Sequence, residues 1–114
     1  KPKDDLYDVT LIFNNKIYHL SGFLDSGNHA NYLGYPLIFI KKNKIDTYQQ
    51  LDTLIIDGLK KRKIDIILVD QVLVNKQSLR NVYIGVLDEL DYDCLLNKEL
   101  MGGIIWCGKW LDSF

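Results

Sequence analysis

The sequence predicts a mostly β domain, a small barrel or folded sheet with one or two short helices. Segments rich in β-branched and aromatic residues recur along the chain, and Asn, Gly and Pro turn signals separate them. Apolar residues at helical spacing are rare, so alternating strand and helix units are not indicated. The 114 residues fit one domain with one hydrophobic core, because no linker or internal repeat divides them.

Composition and charge are those of an ordinary globular domain, with 47% hydrophobic and 25% charged residues. The net charge of -1 indicates neither nucleic-acid binding nor a charged patch for a membrane surface. The chain contains one basic run, Lys60-Lys61-Arg62-Lys63. We interpret this run as a solvated helix end or loop in preference to a docking patch.

Cysteine and histidine usage predicts no metal or other cofactor. Cys94 and Cys107 stand too far apart for a C-x-x-C pair, and two histidines complete no metal set at a recognisable spacing. No window approaches the roughly eighteen apolar residues of a membrane-spanning helix, and no signal peptide opens the chain, so we expect a soluble segment. The opening Lys1-Pro2-Lys3 lacks an initiator Met, which indicates a piece of a longer protein.

The first predicted element is a β-hairpin. Residues 7–13 and 17–24 are rich in β-branched and aromatic residues, and Asn14-Asn15-Lys16 between them supplies turn chemistry. The second strand runs into Asp25-Ser26-Gly27-Asn28, where Gly and Asn tolerate left-handed backbone angles. Asp25 is therefore predicted at the point where a strand gives way to a tight loop.

The middle of the chain predicts a turn, a strand and a helix. Residues 33–36 have turn chemistry, and residues 37–40 form a short apolar strand. Residues 49–61 predict a short helix or helical turn, although Gly58 weakens its end. The helical spacing is carried by apolar residues at Leu51, Leu54, Ile55 and Leu59.

The last part of the chain predicts further strands. Residues 64–74 are too β-branched for a helix, and residues 81–87 form another strand. Residues 94–101 fit either a strand or a helix. Gly102-Gly103 ends that segment before a final apolar strand at residues 104–106.

Asp25 is the candidate catalytic residue. An Asp at the end of an apolar strand, followed by a small hydroxyl residue and Gly, is the arrangement that aspartic peptidases need. The strand fixes the position of the carboxylate, Gly27 allows close backbone approach, and the Ser26 hydroxyl can bond to the loop backbone. The alternative is that Asp-Ser-Gly-Asn is simply a good loop sequence.

Aspartic peptidase chemistry requires two carboxylates that share one proton, so that one oxygen acts as base and another as acid. The chain contains one Asp-Ser-Gly. Ile56-Asp57-Gly58 lacks the hydroxyl residue and is a poor second copy. The twin of Asp25 must then come from a second subunit across a two-fold axis.

Other candidate nucleophiles are weaker. A Ser26/His29 pair has no orienting acid or oxyanion hole at a recognisable spacing, so we interpret His29 as a surface loop residue. Cys94 follows acidic residues that raise a thiol pKa, and we interpret it as a buried small hydrophobe. Trp106 and Trp110 fit a core or a subunit interface better than base stacking.

Three segments carry a resemblance to a known family: FLDSGN at residues 23–28, YPLIFI at residues 35–40 and YDCLLNKEL at residues 92–100. They resemble the retroviral-type aspartic peptidases, and most of all the pro-sigma-E-processing peptidases of endospore-forming bacteria. The resemblance implies a small closed β-barrel over residues 1–114, with Asp25 catalytic, Ser26 and Gly27 positioning it, and Asn28 as their neighbour. It also implies that the late strand builds a dimer sheet.

The same resemblance implies a membrane-anchored homodimer whose protease domain faces the cytoplasm of the mother cell. There it removes the pro-sequence of an inactive sporulation sigma factor after a signal from the forespore. Two features depart from retroviral enzymes. Asn97 stands where those enzymes have a Gly, and no Gly occurs between Ile40 and Gly58, where a Gly-rich flap is expected. The alternative function is a non-catalytic β-barrel interaction module.

Overall fold

The computed structural model describes residues 6–75 and 77–100, and these residues are mostly β, as predicted. A single turn of 3-10 helix lies at Lys42–Lys44, and residues 98–100 are helical. The strands in chain order are β1 (Leu6–Phe13), β2 (Lys16–Asp25), β3 (Asn31–Tyr32), β4 (Tyr35–Pro36), β5 (Ile38–Lys41), β6 (Asp52–Ile56), β7 (Arg62–Val74), β8 (Gln77–Leu87) and β9 (Cys94–Asn97).

Six of these strands close into a barrel, which confirms the predicted fold class. Seven strands form one sheet in the order β1-β2-β9-β5-β8-β7-β6, and β1 also pairs with β7. That additional pairing closes the ring and leaves β6 outside it, attached to β7 alone. Closure removes the exposed edges of the six barrel strands, and β6 remains as an edge strand.

The predicted first hairpin is present. Phe13 pairs with Lys16, so the connection is a two-residue turn at Asn14 and Asn15. Both residues have positive φ, 53° and 60°, which Asn tolerates better than most residues do. Alternate residues of β1, among them Val9 and Leu11, are buried in the barrel.

Strand β9 brings two distant parts of the chain together at the candidate site. It runs parallel to β2 and antiparallel to β5, and Asp25 of β2 lies opposite Asn97 of β9. Residues 94–101, which the sequence left open between strand and helix, contain both: a strand to Asn97 and then helical backbone at residues 98–100. The ends of β2 and β9 therefore lie side by side.

Two apolar clusters form the interior. The larger fills the barrel with buried side chains from β1, β5, β7, β8 and β9. The smaller consists of Leu37, Phe39, Ile64, Ile66 and Leu87. Phe39 packs directly on the backbone of Gly85, where an added Cβ would lie 2.8 Å from the ring. A side chain at this position would displace Phe39.

The helix predicted at residues 49–61 is wrong. Residues Asp52–Ile56 form β6, which pairs antiparallel with the start of β7 and places Leu54 opposite Ile64. Leu51, Ile55 and Leu59 are exposed, so their helical spacing marks no buried helix face. The β-branched composition of β6 suits a strand, and the backbone bonds supplied by β7 decide between the two.

Other predicted elements differ mainly in length. The strand predicted at residues 64–74 begins at Arg62, and the one predicted at residues 81–87 begins at Gln77. The strand predicted at residues 104–106, with Trp106, Cys107 and Trp110, lies outside the described residues. Within residues 6–75 and 77–100, no helix is long and apolar enough to cross a membrane.

Candidate active site

Asp25 is the last residue of β2 and begins a tight loop, as predicted. The backbone N–H of Asn28 donates to the carbonyl oxygen of Asp25 at 3.0 Å, which closes the turn. The Asp25 side chain is half-buried beside β9. Strand β2 therefore fixes the position of the Asp25 backbone, and the turn that follows restricts the orientation of its side chain.

The Asp25 carboxylate is held by the backbone of its own loop. The N–H of Gly27 donates to Asp25 Oδ1 at 2.9 Å. An added Cβ at Gly27 would lie 3.2 Å from the same oxygen, tighter than ordinary van der Waals contact. Glycine therefore lets the loop backbone approach the carboxylate.

Asn28 anchors the loop to the barrel. It is 7% exposed, and its Nδ2 donates to the carbonyl oxygens of Leu37 at 3.2 Å and Leu96 at 3.3 Å. Its Oδ1 accepts from the N–H of Ala30 at 3.1 Å. One side chain thus joins the Asp25 loop to β9 and to the residue before β5.

Asn97 completes this anchoring, a role that the sequence analysis missed. It is 0% exposed, and its Nδ2 donates to the carbonyl oxygens of Ala30 at 3.0 Å and Leu37 at 3.2 Å. Its Oδ1 accepts from the N–H of Glu99 at 2.9 Å. The signal was an amide directly after apolar residues at the end of a strand. We call Asn28 and Asn97 the amide pair.

Ser26 and His29 form no nucleophilic pair in the described part of the chain. Both are exposed, and no side-chain hydrogen bond joins them there. His29 Nδ1 instead lies 3.6 Å from Glu99 Oε2. This arrangement agrees with a surface loop histidine. The positioning role of Ser26 stays a prediction.

Cys94 is a buried thiol, as predicted. It is 0% exposed, and burial raises its pKa far above the usual range, with a smaller contribution from the nearby Asp93 carboxylate. A nucleophilic cysteine needs access and a lowered pKa, and Cys94 has neither. In the described residues, no three His, Cys, Asp or Glu side chains cluster as metal ligands.

A cavity of about 280 Å³ lies between the Asp25 loop and the hairpin formed by β6 and β7. We call residues 52–63 of this hairpin the flap. The flap contributes Ile56 and Arg62 to the cavity, and the loop contributes Asp25, Gly27 and Asn28. The remaining walls are apolar, formed by Phe39, Ile64, Leu87, Leu90 and Leu95.

The flap is tied to the body of the domain at its base. Tyr32 Oη donates to Asp52 Oδ2 at 2.8 Å, and the Tyr32 ring packs edge-on against Tyr83. Gly58 lies in the loop that joins the two strands of the flap. The region after Ile40 thus contains a covering hairpin without being rich in glycine.

A wider groove of about 410 Å³ continues from Asp25 along the same face. Besides Asp25, its lining includes Phe23, Tyr92 and the charged residues Lys60, Arg62, Glu89 and Asp91. The Phe23 and Tyr92 rings are stacked, with centroids 4.4 Å apart. Asp25 therefore borders both openings, as a group acting on an extended ligand would. A larger cavity, about 680 Å³, borders β1 and β2 without touching Asp25.

Comparison with solved structures supports the fold. The chain is similar to the solution structure of simian foamy virus (mac) protease, with a TM-score of 0.61 and 14% sequence identity. The similarity covers 89% of this chain and 96% of that chain. No family model and no curated protein matches the chain. The described domain therefore has the fold of this retroviral protease, which confirms the predicted fold class.

Proposed function

We propose that this chain is one subunit of a homodimeric aspartic endopeptidase, in which each subunit contributes Asp25 to one catalytic site. One observation carries the proposal. On a retropepsin-like barrel, the Asp25 carboxylate is held by the Gly27 N–H at the border of an apolar cavity beneath a flap. A binding module of the same fold would need none of this arrangement around a carboxylate.

The proposed mechanism uses two carboxylates with one proton between them. Among the residues that the structure describes, Asp25 is the one carboxylate that lines the cavity beneath the flap, so we assign the second to the partner subunit. Mutual repulsion keeps one proton on the pair, and the ionised oxygen takes a proton from the attacking water. The protonated carboxyl donates its proton to the scissile carbonyl as water adds, which gives a tetrahedral diol. The C–N bond then breaks, the leaving amine takes the proton that came from the water, and a hydroxyl of the diol returns a proton to the carboxylate pair. This mechanism needs no metal or organic cofactor.

The proposed substrate is the pro-sequence of an inactive sporulation sigma factor, pro-sigma-E. The support is the sequence resemblance of residues 23–28 and 92–100 to the peptidases that process it. By the same resemblance, the domain faces the cytoplasm of the mother cell. We propose that a region before Lys1 anchors it in the membrane and that a signalling protein activates it.

The test is cleavage of the pro-sigma precursor in cells that also produce the full-length protein. Asp25→Asn keeps the size of the side chain and removes the titrating carboxylate. Asp57→Asn is the matched control, since Asp57 is exposed in the loop of the flap and does not line the cavity. We expect Asp25→Asn to abolish cleavage and Asp57→Asn to preserve it at equal protein levels. Equal processing by all three proteins would favour the interaction module.

A further inference from the structure

Of the described residues that line the cavity beneath the flap, two are charged and the others are uncharged. One is Asp25 in the loop, and the other is Arg62 at the start of β7. Arg62 also lines the wider groove, so it stands where the two openings meet. A ligand side chain that enters the cavity beside Asp25 therefore meets one positive charge.

Arg62 keeps most of its binding capacity. Its Nη2 donates to the carbonyl oxygen of Glu89 at 2.7 Å, which holds the guanidinium at the cavity. A guanidinium has five N–H donors in a fixed fork, so further donors are available. Within residues 6–75 and 77–100, no carboxylate lies within salt-bridge distance of Arg62, whereas Lys60 lies 3.4 Å from Glu89 Oε1.

We propose that Arg62 forms a subsite for an acidic side chain of the substrate, so that the enzyme selects peptides carrying Glu or Asp close to the cleaved bond. This inference rests on the proposed function, because it requires a peptide in the cavity. The aliphatic stem of a glutamate would lie on Ile56 and Ile64, and its carboxylate would take paired hydrogen bonds from the guanidinium. Apolar walls strengthen such a charge-assisted contact.

The rest of the basic run acts in the same direction. The structure places Lys60 and Lys61 in the connecting loop of the flap, and Arg62 and Lys63 at the start of β7. The run that the sequence analysis interpreted as a solvated helix end or loop thus borders the candidate site. Lys60 and Lys63 lie beside the carboxylates of Glu89 and Asp65, which offset part of their charge. The exposed Lys61 adds a positive potential that attracts an acidic segment, and salt screens it. Arg62, which lines the cavity, supplies the position-specific contact.

The experiment measures binding, so that it does not depend on catalysis. The probes are fluorescein-labelled octapeptide pools that carry Glu, or its uncharged isostere Gln, at one position and an equal mixture of residues elsewhere. Fluorescence anisotropy gives their affinity for the full-length protein carrying Asp25→Asn. Arg62→Gln is added in that background. Lys61→Gln is the matched control, since it removes an equal charge one residue away and Lys61 does not line the cavity.

At one position at least, we expect the Glu pool to bind about tenfold more tightly than the Gln pool, the ratio typical of one charge-assisted hydrogen bond. Arg62→Gln should bring that ratio close to one, whereas Lys61→Gln, which removes only a share of the general positive potential, should lower it much less. The proposal would be overturned if the Glu pools bound no more tightly than the Gln pools at every position. Equal losses from the two variants would also overturn it, since these would indicate only general attraction between opposite charges.

The same pools separate this inference from the proposed function. Cleavage of the pools by the wild-type protein, lost in Asp25→Asn, tests the peptidase activity alone. Cleavage without an Arg62-dependent Glu preference would overturn the acidic subsite and leave the peptidase standing. An Arg62-dependent preference in binding without cleavage would support the subsite and count against the peptidase.

Discussion

Two buried side-chain amides hold the loop that carries Asp25. The amide pair, Asn28 and Asn97, donates twice to the carbonyl oxygen of Leu37, and each residue also bonds to other backbone groups. In the described residues, no buried side-chain polar atom lacks a hydrogen-bond partner. A loop braced in this way has little conformational freedom, which favours a fixed position of the Asp25 carboxylate.

Replacing Asn97 by Ala should destabilise the domain. The substitution leaves the N–H of Glu99 without its acceptor and removes one donor each from the Ala30 and Leu37 carbonyls. We expect a loss of about 2 kcal/mol in the free energy of unfolding, measured by urea denaturation. Asn43→Ala, at an exposed position in the 3-10 turn, should cost less than about 0.5 kcal/mol. Equal losses would show that the amide pair contributes nothing beyond an ordinary surface Asn.

Cys94 should make the stability of the domain fall in alkaline solution. Burial raises its pKa in the folded state, so above about pH 8.5, the usual pKa of a free thiol, only the unfolded chain releases the proton. The contribution of the protonated Cys94 thiol to stability is fully present below that pH. Above it, the free energy of unfolding decreases by up to about 1.4 kcal/mol per pH unit. The free energy of unfolding can be measured by urea denaturation under reducing conditions at about pH 7.5, 8.5 and 9.5. We expect it to decrease less steeply with pH in Cys94→Ala than in the wild type. Parallel profiles for the two proteins would contradict this prediction.

The flap has little support from the barrel. Strand β6 pairs with β7 alone, and its residues Ile55 and Ile56 are exposed together with Leu59 in the adjoining loop. An edge hairpin with few buried contacts opens at a low free-energy cost compared with the closed barrel. Such an element can admit a substrate and then cover it.

Limited trypsin digestion should therefore cut the described part of the chain first at residues 60–63. These basic residues lie in the flap and are exposed, whereas cleavage within the barrel requires its strands to separate. Mass spectrometry of the first fragments gives the site. The double variant Lys60→Gln and Lys61→Gln should slow that cut at an unchanged unfolding midpoint. A first cut at Lys16 or Lys42, which join exposed ion pairs, would contradict a mobile flap.

At the scale of the whole molecule, one barrel contains one Asp-Ser-Gly loop. Closure of β1 on β7 completes the ring, and within residues 6–75 and 77–100 no second carboxylate lines the cavity beneath the flap beside Asp25. A two-fold axis can supply it, since an isologous contact presents the same surface of each subunit. The proposed activity is thus a property of the dimer, and it should depend on protein concentration.

Mixed dimers provide the sharpest test of this proposal. After subunit exchange between equal amounts of wild-type and Asp25→Asn protein, about a quarter of the dimers contain two carboxylates. We expect activity per total protein to fall to about a quarter of that of the unmixed wild type, because one Asp25 cannot share a proton. Mixing with Asp57→Asn should preserve full activity. A fall to about half would indicate that each chain works by itself.

Local features were readable from the sequence because they depend on neighbouring residues. Asn14 and Asn15 accept the positive φ of the first turn, and the β-branched residues of 64–74 and 81–87 prefer extended backbone. The Asp25 loop was predictable for the same reason, since strand, Asp, Ser and Gly are consecutive. The helix predicted at residues 49–61 was wrong because spacing alone allowed two structures there, and pairing with β7 selected the strand.

The sequence by itself thus determined a β domain with turns at Asn and Gly and a candidate carboxylate at Asp25. Only the tertiary structure decided that Asn97 anchors the loop, 67 residues from its partner Ala30, and that Arg62 faces the same cavity as Asp25. The physical reason is that turn and strand preferences act over a few residues. Contacts between distant residues follow from strand order and barrel closure, which hydrophobic periodicity does not encode.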